Sequence, residues 1–430
     1  LRDANLSNED HIRIVIDPSK DGQSGYIFAV NPSGARYDAL VSRRGESENK
    51  NWDGVWEAKT KVTEKGWVVE IKIPIQSINY KKGLTEWGFN IERRIQRNQE
   101  IIRWSNVKRD QWFTQTSKAG LITNLPEFNY GLGMNIRPSI VENYSETGLA
   151  SDNGAGSEFK FQPSIDVNQR IGSNITASLT ANTDFAETEV DSRQTNLTRF
   201  PLFFPEKRSF FLEGADIFEF GLGLRRDLIP FFSRRIGLYD GTQVPILLGG
   251  KINGRINKTA FGGLIVGTDA VSTPDFNIPK TQMGVARIRQ NIMKESSFGV
   301  IGTFGDPIGR QGSYLGGVDF TYQTTSFKGG KNVLIGATAL YTDRQDLDGD
   351  QTAFSFKFDY PNDLWDIAFT YLRIGDSFDP SLGFVPRKAI NQYRLGVVYA
   401  PRPEWPLVRQ MFNELFVSYV TDLNSNWESY

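Results

Sequence analysis

Apolar and polar residues alternate singly over long stretches of this chain. Phe354, Phe356, Phe358 and Tyr360 stand against Ser355, Lys357 and Asp359. The same arrangement sets Phe159, Phe161, Ile165 and Val167 against Lys160, Gln162, Ser164 and Asp166, and Val318, Phe320 and Tyr322 against Asp319, Thr321 and Gln323. Further copies run through residues 175–181, 365–371, 393–399 and 415–419. A period of two puts each set on one face of a β-strand, here greasy and aromatic on one side and polar on the other. Strands that cross a membrane show this dyad pattern over ~10 residues, and a soluble propeller or a row of sandwiches would alternate as well. The number of such segments, about a dozen with almost no helical period between them, tips the reading towards an antiparallel transmembrane barrel. No run approaches the ~18 consecutive apolar residues of a membrane helix.

Before Gly133 the segments are shorter. Trp67, Val69, Ile71 and Ile73 alternate with Val68, Glu70 and Lys72, and turn signals at Asp21-Gly22, Asn31-Pro32, Ser33-Gly34, Lys65-Gly66 and Lys82-Gly83 punctuate the stretch. The expected architecture is therefore all-β: a β-sandwich over residues 1–125, a boundary near Pro126, and an antiparallel transmembrane β-barrel over residues 132–430. Leu1 leads almost at once into the alternating Ile12, Ile14 and Ile16 with no secretory leader before it. The sandwich is accordingly expected to be entered partway, and further C-terminal strands are expected.

Charge changes the picture little: 49 Lys and Arg balance 50 Asp and Glu, which argues against a nucleic-acid partner. The absence of cysteine removes disulfides, thiolate metal sites and cysteine nucleophiles, and the one histidine, His11, leaves no room for a histidine-rich zinc site. The 30 Phe, 15 Tyr and 9 Trp, together with 41 Gly, favour strands and tight turns.

Four constellations carry candidate chemistry. Six of the nine tryptophans fall before residue 113. Trp52, Trp56 and Trp87, with Asp53, are sugar-stacking candidates, since sugar rings lay their C–H faces on planar side chains; core packing is the alternative, and suits Trp67 best. Arg93, Arg94, Arg97, Arg103, Lys108 and Arg109, interleaved with Trp104 and Trp112, read as a solvated strand face or a surface meeting anionic lipid. Glu187, Glu189, Asp191, Glu206 and Glu213 offer carboxylates for glycosidase chemistry, or charges paired to Arg193, Arg199, Lys207 and Arg208. Asp346, Asp348 and Asp350, near Asp343 and Gly349, have oxygen-rich spacing that can hold calcium without the EF-hand order, or form an acidic hairpin loop. No other cofactor is implied.

The segment 196–221 breaks the strand pattern. It gathers seven phenylalanines around Pro201 and Pro205, and Glu206, Lys207 and Arg208 in a row would force a charge onto lipid. A loop or short helical turn is expected, folded inward as a plug or capping a rim, with Phe203, Phe204, Glu206, Lys207, Arg208 and Glu213 as its key residues and Glu206 or Glu213 paired to a nearby base.

Two stretches carry a family resemblance. Residues 25–34, Asn51-Trp52-Asp53-Gly54-Val55-Trp56-Glu57, Gly66-Trp67 to Ile73-Pro74, and Trp87-Gly88-Phe89-Asn90 with Arg93-Arg94 resemble a carbohydrate-binding family 9-like domain. Asn182-Thr183-Asp184-Phe185, Asn196-Leu197-Thr198-Arg199-Phe200 and the run from Phe203 to Gly214 are similar to the signature of a barrel domain of unknown function that follows such a module in Bacteroidota-type outer-membrane proteins. The resemblance implies a bacterial outer-membrane location with the N-terminal module in the periplasm. It also implies the lipid bilayer as partner, with a saccharide ligand or other outer-membrane proteins as further partners. The expected function is non-enzymatic: binding or passing a ligand, or serving in an outer-membrane assembly. A glycan-processing hydrolase targeted by its sugar-binding module is the alternative.

Overall fold

The structure, a computed structural model, describes residues 5–429 apart from 46, 106–107, 109–110, 129–131, 148–155, 173 and 184–194. It is nearly all β, 53% strand against 5% helix, so its organisation is set by sheet pairing. Nine strands make up the N-terminal part: β1 His11–Asp17, β2 Gly25–Val30, β3 Arg36–Ser42, β4 Ser47–Asn49, β5 Glu57–Thr63, β6 Gly66–Lys72, β7 Trp87–Ile95, β8 Glu100–Arg103 and β9 Gly120–Ile122. Seven of them form one sheet in the order β4-β3-β2-β1-β7-β8 with β9 on β7, and β5 and β6 form a separate hairpin. The expected sandwich is thus a single sheet whose facing layer is a two-stranded hairpin and loops. Alternation places Ile14, Ile16, Tyr26, Phe28 and Leu40 in the core under the hairpin, and Val15, Ile27, Ala39 and Val41 in a second core against Phe113.

The rest of the chain supplies β10 Met134–Thr147, β11 Gly156–Ile171, β12 Ile175–Ala181, β13 Leu238–Tyr239, β14 Thr242–Gln243, β15 Ile246–Ile256, β16 Thr259–Thr268, β17 Val271–Ser272, β18 Asn277–Ile278, β19 Thr281–Ile292, β20 Ser296–Phe304, β21 Tyr314–Phe327, β22 Lys331–Asp343, β23 Thr352–Pro361, β24 Trp365–Ile374, β25 Ile390–Tyr399, β26 Asn413–Asp422 and β27 Trp427–Ser429. Fourteen of these join in one antiparallel sheet in chain order, omitting the small hairpins β13–β14 and β17–β18. Among the described residues β10 and β27 are not paired with each other, so the sheet is not a closed barrel.

It is nevertheless strongly curved. Ile246 of β15, Leu264 of β16, Ile301 of β20, Leu340 of β22, Leu372 of β24 and Val420 of β26 all belong to one apolar cluster built on Phe210, Phe211, Phe218, Phe220 and Leu228. Strands spaced ~4.8 Å apart in a flat sheet would put β15 and β26 about 43 Å from each other, too far to share a core. The sheet therefore wraps around residues 195–245, the described part of the segment that leads into β15, called the insert below.

Facing is inverted relative to a soluble sheet. On β23, Phe354 and Phe356 are 43% and 39% exposed, whereas Ser355 is 5% exposed. On β21, Val318 and Phe320 are exposed while Asp319, Thr321 and Gln323 are buried on the covered side. Across β23, β24, β25 and β26, the register aligns Phe356, Tyr371, Tyr393 and Tyr419 as one aromatic row on the exposed face. Trp365 stacks on Tyr399 at 4.4 Å nearer the other end of the same face, and Phe369, Leu395 and Val417 lie between the two rows.

The two ends of the sheet differ too. At one end the turns 257–258, 293–295, 328–330 and 362–364 are short and 400–412 is long; at the other the connections 269–280, 305–313, 344–351 and 375–389 are long and 423–426 is short. The N-terminal sheet sits at the short-turn end. There Arg255 at the end of β15 pairs with Asp21, Arg44 donates to the Ser297 hydroxyl at 2.9 Å, and Arg170 donates to the Gln76 and Ile78 carbonyls.

Candidate functional site

The insert is organised by one buried charge pair. Arg208, 1% exposed, donates from Nε to Glu206 Oε1 at 2.9 Å and from Nη2 to Oε2 at 2.7 Å, a bidentate geometry suited to two planar groups. Its remaining donors reach the carbonyls of Ile236 and Ser233, so the guanidinium is fully used while out of water. Burial pushes the Glu206 carboxyl up, but Arg208, two backbone N–H groups and the Ser233 hydroxyl outweigh it and hold the group below the ordinary value. Pro205, which cannot donate in a ladder, precedes the pair, and a one-turn helix, Ser209–Leu212, follows it. Phe210 and Phe211 of that turn belong to the common core, and Leu212 is buried beside them.

Lys251, on the covered face of β15, donates to the Phe210 and Glu213 carbonyls and lies 5.1 Å from the Phe210 ring, pinning the turn to the wall. Gly214 follows in the left-handed region with φ 68°, and a Cβ there would stand 2.2 Å from the Asn253 amide, so this position admits only glycine. The insert also reaches the long-loop end: Ile229 and Phe384 exchange backbone hydrogen bonds, and Phe203 stacks on Phe232 at 5.2 Å.

Between the insert, the N-terminal sheet and the covered walls of β21 to β26 lies a cavity of about 860 Å³. The N-terminal sheet contributes Arg44, Glu48 and Asn51 to it, the loop after β8 gives Trp112, and the insert gives Phe203, Glu206, Arg225 and Arg226. Asn332, Lys357, Asp359, Asp366, Thr370 and Phe416 complete it from the wall. The covered wall is graded. Towards the long loops it is apolar, with Leu264, Met283, Leu315 and Leu372; towards the short turns it carries Arg255, Arg287, Asp319 and Gln323. The chamber occupies the polar half.

Three hydrogen bonds tie the N-terminal sheet to the insert around this space. The Ser42 hydroxyl donates to Glu219 at 2.8 Å, Asn51 Nδ2 to the Glu206 carbonyl at 3.0 Å, and Asn79 Nδ2 to Glu213 Oε1 at 3.1 Å. Arg255 joins all three parts, since it pairs with Asp216 of the insert as well as with Asp21.

Residues 136–248 match a family model described as Domain of unknown function (DUF5916). The match runs from β10 into β15 and contains the whole insert, including the run from Phe203 to Gly214. No curated protein matches the chain.

The sequence-derived candidates distribute unevenly. Phe203, Phe204, Glu206, Lys207, Arg208 and Glu213 all lie in the insert, and of these Phe203 and Glu206 border the chamber. The tryptophans must be corrected. Trp52, Trp56 and Trp87 are core residues, 4–7% exposed, with no face open to a sugar. Trp52 lies 4.9 Å from the Tyr26 ring, Trp56 5.2 Å from Phe28, and Trp87 stacks on Phe128 at 5.3 Å. The period-two pattern Trp52-Gly54-Trp56, with Asp53 and Val55 exposed between, was the available signal. Gly54 lies against the Trp52 ring, where a Cβ would approach to 2.7 Å. Trp112 is the tryptophan that reaches the chamber, and it is 50% exposed.

Asp346, Asp348 and Asp350 do not converge either. Asp346 pairs with Arg344 at 2.6 Å and Asp350 with Arg373 at 2.5 Å, and no metal-binding group of three or more such side chains occurs among the described residues. Arg344 also binds Asp379, which Lys388 holds at 3.0 Å, so the acidic loop serves to tie the long connections 344–351 and 375–389 together. Of the basic stretch, Arg103 pairs with Glu92 at 2.7 Å across β7 and β8, and Arg109 lies outside the described residues. Glu187, Glu189, Asp191 and Arg193 lie outside them as well.

Proposed function

We propose that this chain is a β-barrel protein of a bacterial outer membrane, its barrel plugged by the insert and its periplasmic mouth capped by the N-terminal sheet. In this reading it binds or passes a ligand, or serves in an outer-membrane assembly, and the chamber at the polar end is where the ligand is held. The observation that carries the proposal is the inverted facing. Hydrocarbon requires an apolar exterior and accepts no polar one, whereas a sheet in water buries its greasy face; here Phe354, Phe356, Val318 and Phe320 point outward and Ser355, Asp319 and Thr321 point in. An aromatic row and a Trp365–Tyr399 stack on either side of Phe369, Leu395 and Val417, with mostly short turns at one end and mostly long loops at the other, fit the pattern of outer-membrane strands. Phe210, Phe218 and Phe220 pack against the covered face of the sheet, which supports a plug.

A glycan-processing hydrolase needs two available carboxylates ~5 to 10 Å apart across a cleft. Glu206 is committed to Arg208, and Glu213 accepts from Asn79. Binding without chemistry is therefore the reading adopted.

The protein purified from membranes is expected to need detergent and to migrate faster in a gel unheated than boiled. A chain that stays monodisperse without detergent and migrates identically in both states would overturn the membrane assignment.

A further inference from the structure

Two arginines on opposite sides of the chamber share an uncommon backbone. Arg44, in the turn after β3, has φ 60°, and Arg225, in the insert, has φ 49°. The left-handed region strains a residue with a Cβ, and the strain persists only where the surroundings enforce it. Gly221 and Gly223 adopt the same sign of φ a few residues earlier, where glycine makes it free of strain. At Arg225 the strained position instead carries a charge that is exposed to the chamber and has no ion pair among the described residues. Arg226 beside it places its guanidinium 4.5 Å from the Phe203 ring and likewise meets no carboxylate among them.

The acids lining the same space are mostly engaged. Arg208 holds Glu206, Arg13 holds Glu48 at 2.9 Å, Lys357 holds Asp359 at 2.9 Å, and Ser42 donates to Glu219. Asp366, across on β24, is the one that remains, and the wall cation Arg394 is taken by Asp227 in a bidentate pair. Two adjacent guanidiniums thus project from the insert, and neither is in an ion pair among the described residues.

We propose that Arg225 and Arg226 anchor an acidic group and that the ligand of the chamber is an acidic oligosaccharide. This rests on the reading that the chamber holds a ligand. The body of that ligand follows from the remaining surface. Trp112 and Phe416 present exposed rings on which the C–H faces of a sugar can stack. A cavity of about 860 Å³ accommodates a ligand of several rings.

Titration of the full chain in detergent micelles with tri-galacturonic acid and with maltotriose, by calorimetry, tests this. The acidic sugar is expected to bind at least roughly tenfold more tightly than the neutral one, with the difference shrinking as salt is raised. The double variant Arg225→Gln with Arg226→Gln should bring the acidic sugar down to the neutral level. Arg225→Gly, which fits the left-handed backbone, should remove part of the preference in a chain that keeps its heat-modifiable migration. Equal binding of both sugars, or an unchanged preference in the double variant, overturns the acidic anchor while leaving the chamber as a binding site. Binding of neither sugar, or of an acidic peptide or an anionic phospholipid in their place, overturns the oligosaccharide assignment; whether the barrel is plugged is read separately, from conductance.

Discussion

Asp17 closes β1 at 2% exposure, its carboxyl group accepting from the backbone N–H groups of Ser19 and Gly22. Burial, and then the nearby Asp21 carboxylate, push it up from 3.8 to about 7. Between those values the folded chain binds the proton that the unfolded chain has lost, so its contribution to stability is fully present below about pH 4 and is gone above about pH 7. Melting of the N-terminal sheet followed across that range should show its midpoint falling as pH rises, and Asp17→Asn should flatten the dependence; an equal slope in the variant would exclude Asp17 as its source. Arg208 is the second residue on which much depends. Arg208→Ala leaves Glu206 charged and out of water, and removing one member of a buried pair costs about 3–5 kcal/mol. Thermal unfolding should register that loss, and Glu206→Gln with Arg208→Met together should recover part of it. That Pro205-Glu206-Lys207-Arg208 breaks the strand pattern and holds a charge pair was legible from the sequence, but the choice of Arg208 over Lys207 or Arg199 as the partner of Glu206 was not. The roles of the tryptophans were not, because an indole that stacks on a ligand and one that fills a core leave the same mark in a sequence. What separates them is the partner ring, and Tyr26, Phe28 and Phe128 come from other elements.

Strands were the most readable elements, since the alternation that defines them is the same alternation that assigns their faces. Phe356→Arg, on the exposed face, is expected to lower folded stability in bilayers by about 2–4 kcal/mol if it lies near the midplane. Ser355→Arg, one residue along, should be destabilising for a different reason, since it meets the insert. Refolding yields into lipid vesicles measure both, and a neutral Phe356→Arg would contradict a lipid-facing row. The insert was readable only as an exception to the strand pattern, because its course depends on side chains from ten strands that no local pattern names. Deleting Phe203 to Phe211 tests its role. A folded variant should raise the conductance of planar bilayers well above that of the intact chain, and unchanged conductance would mean that these residues only fill a rim.

For the molecule as a whole, Arg255 joins its three parts by pairing with Asp21 of the N-terminal sheet and Asp216 of the insert. Arg255→Met should therefore release the N-terminal sheet and expose the loop from Pro18 to Ser24 to protease; a cleavage pattern like that of the intact chain would show that the other contacts suffice. The position of the insert in the chain has one more consequence. It connects β12 to β15, which are direct neighbours in the sheet, and not two distant strands. A segment tethered at both ends to adjacent strands cannot easily be inserted once the sheet has curved around its place. The connectivity favours an order in which the aromatic turn at Ser209–Leu212 forms beside β12 and β15 and the strands β16 to β26 pair around it afterwards. The insert is in this sense a mandrel: it sets the diameter on which the wall is wound.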